Sequence, residues 1–108
     1  MRERIKHGEI DQSILTELVT QRMGELLGET ASRFLFDYMK RNHDLLTGDI
    51  CERSDVFFAG LEEFLVAGAK ILERLVLKDI YSSFGLEYEE KEGYKFSDYL
   101  KELVRRGD

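Results

Sequence analysis

Apolar residues recur at three- and four-residue spacing along most of this chain, which is the period of an amphipathic helix. The first such stretch covers residues 11–27, with Asp11 as its candidate N-cap. Gly28 is its natural stop, since glycine takes the left-handed conformation without a Cβ clash. A second stripe, from Ala31 to Met39, predicts a second helix over residues 29–41.

A loop is expected over residues 42–54, in which three apolar residues fold over the core: Leu45, Leu46 and Ile50. The third helix is predicted to begin at Ser54 or Asp55, either of which can serve as its cap.

A break is predicted between the third and fourth helices, near Ala67 and Gly68. One continuous helix over residues 55–84 would be about 45 Å long. A compact domain of this size has a radius of gyration of only about 13 Å, so such a rod would project from it. We therefore expect a separate fourth helix over residues 69–84, ending at Gly85 with Leu86 making the contact of a Schellman-type cap.

The fourth helix carries apolar residues on two roughly opposite arcs. One arc consists of Ile71, Leu72, Leu75 and Val76. The other consists of Leu77, Ile80, Tyr81 and Phe84. We expect the first arc to face the monomer core. The second arc is covered either by the first or fifth helix, or by another subunit.

The remaining segments complete a prediction of an all-α fold, a compact bundle of about five helices around the central helix 69–84. Residues 87–95 are acidic and predict a solvated linker. The fifth helix is expected to begin with Ser97 as its N-cap and Asp98 in its first turn. The length of 108 residues fits one domain, with residues 1–10 as a frayed N-terminus.

Composition narrows the possible partners and location. The net charge of −6 disfavours nucleic-acid binding, which needs a basic surface to neutralise phosphates. No run of about 18 apolar residues is present, so we expect no membrane span. The charged N-terminus lacks the apolar region of a secretory signal, and one cysteine cannot form an internal disulfide. We therefore expect a cytoplasmic protein.

No catalytic, metal or cofactor site is predicted. His7, His43 and Cys51 have no metal-ligand spacing, and the acidic neighbours of Cys51 disfavour a reactive thiolate. The carboxylates between Glu87 and Glu92 lack the aspartate spacing and central glycine of a calcium loop. The chain is therefore not expected to be an enzyme.

Two surface features remain as candidate binding sites. Lys70, Arg74 and Lys78 recur at four-residue spacing and form a basic stripe, which either meets an acidic partner or is a solvated ridge. Phe36 and Phe58 lie off the main apolar stripes, so they are candidates for a partner surface as well as for core contacts.

Two segments resemble a small archaeal helical domain family, the Nitrosopumilus output domain. The first, residues 26–39, has a leucine-glycine helix junction followed by an aromatic-rich helix. The second, residues 61–86, has a glycine-alanine junction that leads into a long apolar helix. The chain has Ala67 where such domains usually have glycine. The resemblance implies a signalling-output or protein-interaction role and supplies no catalytic residues.

Two functions follow from these patterns. The first is a non-catalytic interaction or regulatory module that forms a homodimer or binds another protein. Its interface would comprise Leu77, Ile80, Tyr81, Phe84, Phe36 and Phe58. The alternative is a domain that binds a small apolar or anionic ligand in a pocket between the second, third and fourth helices.

Overall fold

Five α-helices form the part of the chain that the structure, a computed structural model, describes, namely residues 12–107 with the side chains of 105–107 excepted. They are α1 (Gln12–Leu27), α2 (Glu29–His43), α3 (Ser54–Leu65), α4 (Ala69–Ser83) and α5 (Phe96–Gly107). A short 3-10 helix, Thr47–Asp49, lies between α2 and α3. The predicted all-α fold is confirmed. The Asp11 cap, the frayed segment 1–10 and His7 lie outside the described residues.

Glycine ends two of the helices, as predicted. Gly28 has a φ of 87° and is the single residue between α1 and α2. Gly85 has a φ of 73° after α4, and its N–H donates a hydrogen bond to Ser82 O at 3.0 Å. The Leu86 N–H donates to Tyr81 O at 2.9 Å, which completes the Schellman motif.

The break between α3 and α4 is confirmed, but a valine makes the turn. Val66 has a φ of 49° and a ψ of −68°, whereas Gly68 has a φ of −103°. A β-branched residue at positive φ is an outlier, because its Cβ crowds the backbone. The side chain of Val66 is also 83% exposed, so no core packing explains the residue at this position.

Two local predictions are wrong. The helix α5 begins at Phe96, and Ser97 is buried inside its first turn, so Ser97 is not the cap. Asp98 caps the helix instead, because its carboxylate accepts a hydrogen bond from the Lys95 N–H at 2.8 Å. In the loop before α3, Leu45 and Ile50 are buried as expected, whereas Leu46 is 53% exposed.

The helices α1 to α4 form an antiparallel ring, in which α1 contacts α2 and α4, and α3 contacts the same two helices. The α2–α3 pair is antiparallel, since Tyr38 meets Phe64 while His43, further along α2, lies near Gly60. Gly60 allows this close approach, because a Cβ there would lie 2.5 Å from Met39 Sδ. The first turns of α1 lie beside the 3-10 helix that follows α2, because residues of both line one hollow, so α1 runs opposite to α2. The helix α4 packs on α3 after a turn of three residues and so runs back along it.

The helix α5 packs on α3 and α4 and covers one side of this ring. Consequently α4 contacts α1, α3 and α5, which agrees with its predicted central position. The radius of gyration is 13.5 Å, close to the value expected for a compact domain of this length. Among residues 12–107, no helix is both long and apolar enough to cross a lipid bilayer.

Candidate functional site

The second apolar arc of α4 is covered within the chain. Leu77 and Ile80 are fully buried, and Tyr81 is 3% exposed. The Tyr81 hydroxyl contacts α5, with Tyr99 O and Glu102 Oε1 each at 3.1 Å. Phe84 is half-buried against the same core. These four residues therefore offer no open interface, which corrects the prediction that they could meet another subunit.

The two aromatic residues that were candidates for a partner surface make contacts inside the chain. The ring of Phe36 stacks on that of Phe57, with centroids 6.3 Å apart. The ring of Phe58 stacks on that of Phe96 at 6.1 Å. Both side chains are half-buried against the core, so they tie α2 and α5 to α3. Their alternative interpretation as core contacts fits this geometry.

The basic stripe of α4 is partly neutralised by acidic residues of the same chain. Lys70 Nζ lies 3.5 Å from Glu73 Oε1. Arg74 Nη2 lies 3.4 Å from Glu90 Oε2, in the linker before α5. The side chains of Lys70 and Arg74 are more than half exposed, and Lys78 is exposed as well. This arrangement resembles a solvated ridge more than a prepared anion site.

Cys51 and His43, which could in principle be reactive or bind a metal, lie in different environments. Burial raises the pKa of the Cys51 thiol, and a side-chain hydrogen bond with Thr16 only partly offsets this effect, so the reactive thiolate is disfavoured. His43 Nε2 lies 2.9 Å from Glu63 Oε1, which also accepts the Tyr38 hydroxyl hydrogen bond at 2.6 Å. The Tyr38 bond, followed by that of His43, lowers the pKa of the Glu63 carboxyl. These contacts link α2 to α3.

One end of the bundle concentrates exposed apolar side chains. This end contains the α1–α2 junction at Gly28 and the α3–α4 junction at Val66, since the ring is antiparallel. Six large apolar side chains are exposed among the described residues, and only Leu46 lies at the opposite end. We call the other five the apolar end: Leu26 (40% exposed), Phe34 (62%), Val66 (83%), Ile71 (58%) and Leu75 (43%).

Part of the apolar end forms a strip along the contact between α1 and α4. Arg22 Nε lies 3.8 Å from Asp79 Oδ2 across this contact. Leu26 and Leu75 each lie four residues from this pair, Leu26 towards the α1–α2 junction and Leu75 towards the α3–α4 junction. Ile71 is one further turn along α4, next to the junction. Exposed apolar residues therefore occur on both α1 and α4 between this ion pair and the two junctions.

A groove with a buried carboxylate lies on the other side of α4. It consists of two hollows of about 360 and 410 Å³, which share the side chains of Lys70, Glu73 and Tyr94. The first hollow lies between α3, α4 and the start of α5, and the second lies between α4 and the linker. Neither hollow is lined by α2, so the groove differs in location from the predicted pocket between α2, α3 and α4.

The floor of this groove holds Glu73, which is only 5% exposed. Burial is the main cause that raises the pKa of its carboxyl, while the charge of Lys70 acts in the opposite direction. The walls are aromatic, with Phe58 on one side and Tyr88 and Tyr94 on the other. A buried carboxylate among aromatic rings favours a cation over an anion.

The linker is held against α4 and α5 by tyrosines, which the prediction of a solvated linker missed. The ring of Tyr99 contacts those of Tyr88 and Tyr94, with centroids 5.3 and 4.9 Å apart. The Tyr99 hydroxyl accepts a hydrogen bond from the Lys91 N–H at 2.8 Å. Lys91 Nζ pairs with Glu102 Oε2 at 2.9 Å and lies 5.0 Å from the Tyr94 ring centroid. The wall of the groove is therefore anchored to the core.

Glu73→Gln is expected to stabilise the protein at neutral pH. Because the folded-state pKa of Glu73 is raised, the folded state binds more protons than the unfolded state between the two pKa values. The stabilising contribution of Glu73 to the free energy of unfolding is therefore fully present below the unfolded pKa of about 4.3. It is lost as the pH rises through the folded-state pKa.

Thermal unfolding monitored by circular dichroism tests this expectation. The melting temperature of Glu73→Gln should exceed that of the wild type at pH 7, and the difference should shrink towards pH 4. Glu52→Gln, at an exposed position of the other end, supplies the matched loss of one negative charge. An equal rise in both variants would assign the effect to net charge alone.

Among the described residues, no group of three or more histidine, cysteine, aspartate or glutamate side chains is placed to hold a metal ion. Comparison with family models, with curated proteins and with solved structures gave no match. The sequence analysis missed the groove, although one signal pointed to it. Glu73 lies four residues before Leu77 and therefore on the buried side of α4.

Proposed function

We propose that this protein is a non-catalytic interaction module that associates with a second copy of itself through the apolar end. The observation that carries this proposal is that, of the six large apolar side chains exposed among the described residues, five lie at the α3–α4 junction or in the helix halves nearer to the α1–α2 and α3–α4 junctions. Isolated exposed apolar residues are normal on a soluble protein, but a group of them indicates an interaction surface.

The apolar end is large enough to form the apolar part of a dimer interface. The exposed fractions of its five side chains correspond to roughly 500 Å² of accessible surface, within the range of about 300–600 Å² of the largest patch on typical monomers. A standard interface buries about 800 Å² per partner, and homodimer interfaces are about 65% apolar. The apolar end thus provides about the apolar area that one side of such an interface uses.

The backbone of Val66 is a second support. Val66 combines a positive φ with almost full exposure. The folded chain therefore carries backbone strain at a residue that presents an apolar side chain at the tip of the junction. A glycine would relieve the strain, and a polar residue would favour solvation. Valine neither relieves the strain nor favours solvation, but its side chain can contact an apolar partner. A regulatory or signalling-output role, as implied by the family resemblance, is compatible with such a contact.

Sedimentation velocity over a concentration series tests the proposal. We expect the wild type to dimerise in the micromolar range, and Val66→Asp to remain monomeric because it places a charge in the contact. Leu46→Asp is the matched control, since it removes an exposed apolar side chain at the opposite end. A wild type that stays monomeric at high micromolar concentration, or a Leu46→Asp variant as defective as Val66→Asp, would contradict the proposal.

A further inference from the structure

We propose that the groove of Glu73 binds a linear polyamine, with one ammonium group paired to the Glu73 carboxylate. This site is separate from the apolar end and goes beyond the proposed self-association. The inference rests on three features of the groove: the weak partner that Glu73 has within the chain, the distribution of the surrounding charges and the aromatic walls.

The internal ion pair of Glu73 is long. A charge-assisted hydrogen bond from an ammonium group to a carboxylate is usually about 2.7–2.9 Å, whereas Lys70 Nζ lies 3.5 Å from Glu73 Oε1. The Lys70 side chain is 69% exposed and the Glu73 side chain 6% exposed, so a solvated lysine partners a buried carboxylate. A ligand ammonium that enters the groove would replace Lys70 at shorter distance, and Lys70 would return to solvent at little cost.

The surrounding carboxylates are spread along the groove. Asp55 and Glu62 line the first hollow, and Glu90 and Glu92 line the second, with Glu73 shared between them. The described residues bring no three such side chains together as a metal would require. A compact divalent ion therefore has no cage here. Because Glu90 is paired with Arg74, an extended cation with charges several bonds apart would meet Asp55 or Glu62 at one end, Glu73 at the centre and Glu92 at the other end.

The positive side chains of the groove do not make it an anion site. Lys91 is already paired with Glu102 at 2.9 Å, and Lys70 faces Glu73. Lys95 is exposed at the rim. A phosphate placed among these lysines would approach the buried Glu73 carboxylate, and the repulsion between like charges in a poorly solvated site disfavours it.

The aromatic walls suit an aliphatic ammonium chain. Lys91 Nζ lies 5.0 Å from the Tyr94 ring centroid, so this ring already accepts a cation on one side. Phe58 and Tyr88 extend the aromatic lining into the two hollows. The methylene groups of a polyamine would pack on these rings while its nitrogen atoms pair with the carboxylates. Metal ions and phosphate have no apolar groups that could make the first of these contacts.

Isothermal titration calorimetry with spermidine, at low ionic strength and neutral pH, tests the site on the full chain. We expect saturable binding with one spermidine per chain. Glu73→Gln should weaken it at least tenfold, and Glu52→Gln, with the same change in net charge, should leave it within about twofold. Tyr94→Phe should retain binding because it keeps the ring, whereas Tyr94→Leu should weaken it.

Three further titrations separate this site from other ligand classes. We expect n-butylammonium, Mg²⁺ and inorganic phosphate each to bind at least tenfold more weakly than spermidine. Absence of spermidine binding, or equal weakening by Glu73→Gln and Glu52→Gln, would overturn the inference. Tighter binding of Mg²⁺ or phosphate would overturn it as well. A circular dichroism spectrum of Glu73→Gln like that of the wild type excludes unfolding as the cause, and the dimerisation of the wild type, measured separately, is independent of these results.

Discussion

Replacement of Leu77 by glutamate is expected to abolish the cooperative folding of this protein at neutral pH. Leu77 is fully buried on α4, so the substitution removes an apolar side chain and places a carboxylate in the hydrophobic core. Loss of a buried leucine alone costs about 2–5 kcal/mol, and an unpaired buried charge adds several more. The total approaches the whole stability of a typical domain, about 5–15 kcal/mol.

The control is Ile71→Glu, six residues earlier on the same helix. Ile71 is 58% exposed, so the charged side chain stays in water and the free energy of unfolding should change by no more than about 0.5 kcal/mol. Far-UV circular dichroism during heating measures both variants. If Leu77→Glu unfolds with the same midpoint as Ile71→Glu, the burial of the second arc within one chain is contradicted. Because Ile71 belongs to the apolar end, Ile71→Glu should also weaken self-association.

Replacement of Phe57 by alanine is expected to cost about 3–5 kcal/mol, because a large buried side chain leaves a cavity that the core fills only partly. Phe57 is fully buried on α3, and its ring contacts Phe36 of α2 and Phe96 of α5, with centroids 6.3 and 6.1 Å away. The substitution thus loosens the contact of three helices at once.

Urea unfolding of Phe57→Ala and of a matched Phe34→Ala variant measures this effect. Phe34 is 62% exposed at the apolar end, so its truncation should change the free energy of unfolding by less than about 1 kcal/mol. We expect the loss of unfolding free energy in Phe57→Ala to be several times that in Phe34→Ala. Similar losses in both would show that Phe57 is not at the centre of the core.

The helix boundaries were largely predictable, because they depend on local chemistry. Glycine at positions 28 and 85 ends helices through a backbone conformation that other residues adopt only with strain. The break before α4 followed from the length of helix that a small domain can contain. The predicted start of α5 is two residues too late, since serine is a common cap and only the structure shows that the Asp98 carboxylate accepts a hydrogen bond from the Lys95 N–H.

The burial of α4 could not be derived from its own periodicity. Leu72, Val76 and Ile80 follow one another at four-residue spacing and join the two arcs into a single buried half of the helix. Ile71 and Leu75, assigned to the core by spacing, remain on the exposed half. A helical wheel shows where apolar residues lie, but which half is covered depends on the neighbouring helices.

The candidate sites were the least predictable part. The residues expected at an interface are buried or half-buried within the chain, whereas those of the apolar end come from four different elements of the ring. Glu73 was not among the residues predicted for a site. It shares a hollow with Tyr94 and Phe58, which are far from it in sequence, and no local pattern predicts such an arrangement.

The sequence alone determined the helical class, the glycine stops, the break near Gly68 and the central place of the fourth helix. These properties arise from residue spacing and backbone preference within a few turns. Only the tertiary structure decided that the second arc of α4 is internal, that Ile71 and Leu75 are left outside with Val66, and that Glu73 lies at the floor of an aromatic groove. The reason is that burial is a property of pairs of elements, and the pairing of α4 with α1, α3 and α5 is encoded across the whole chain.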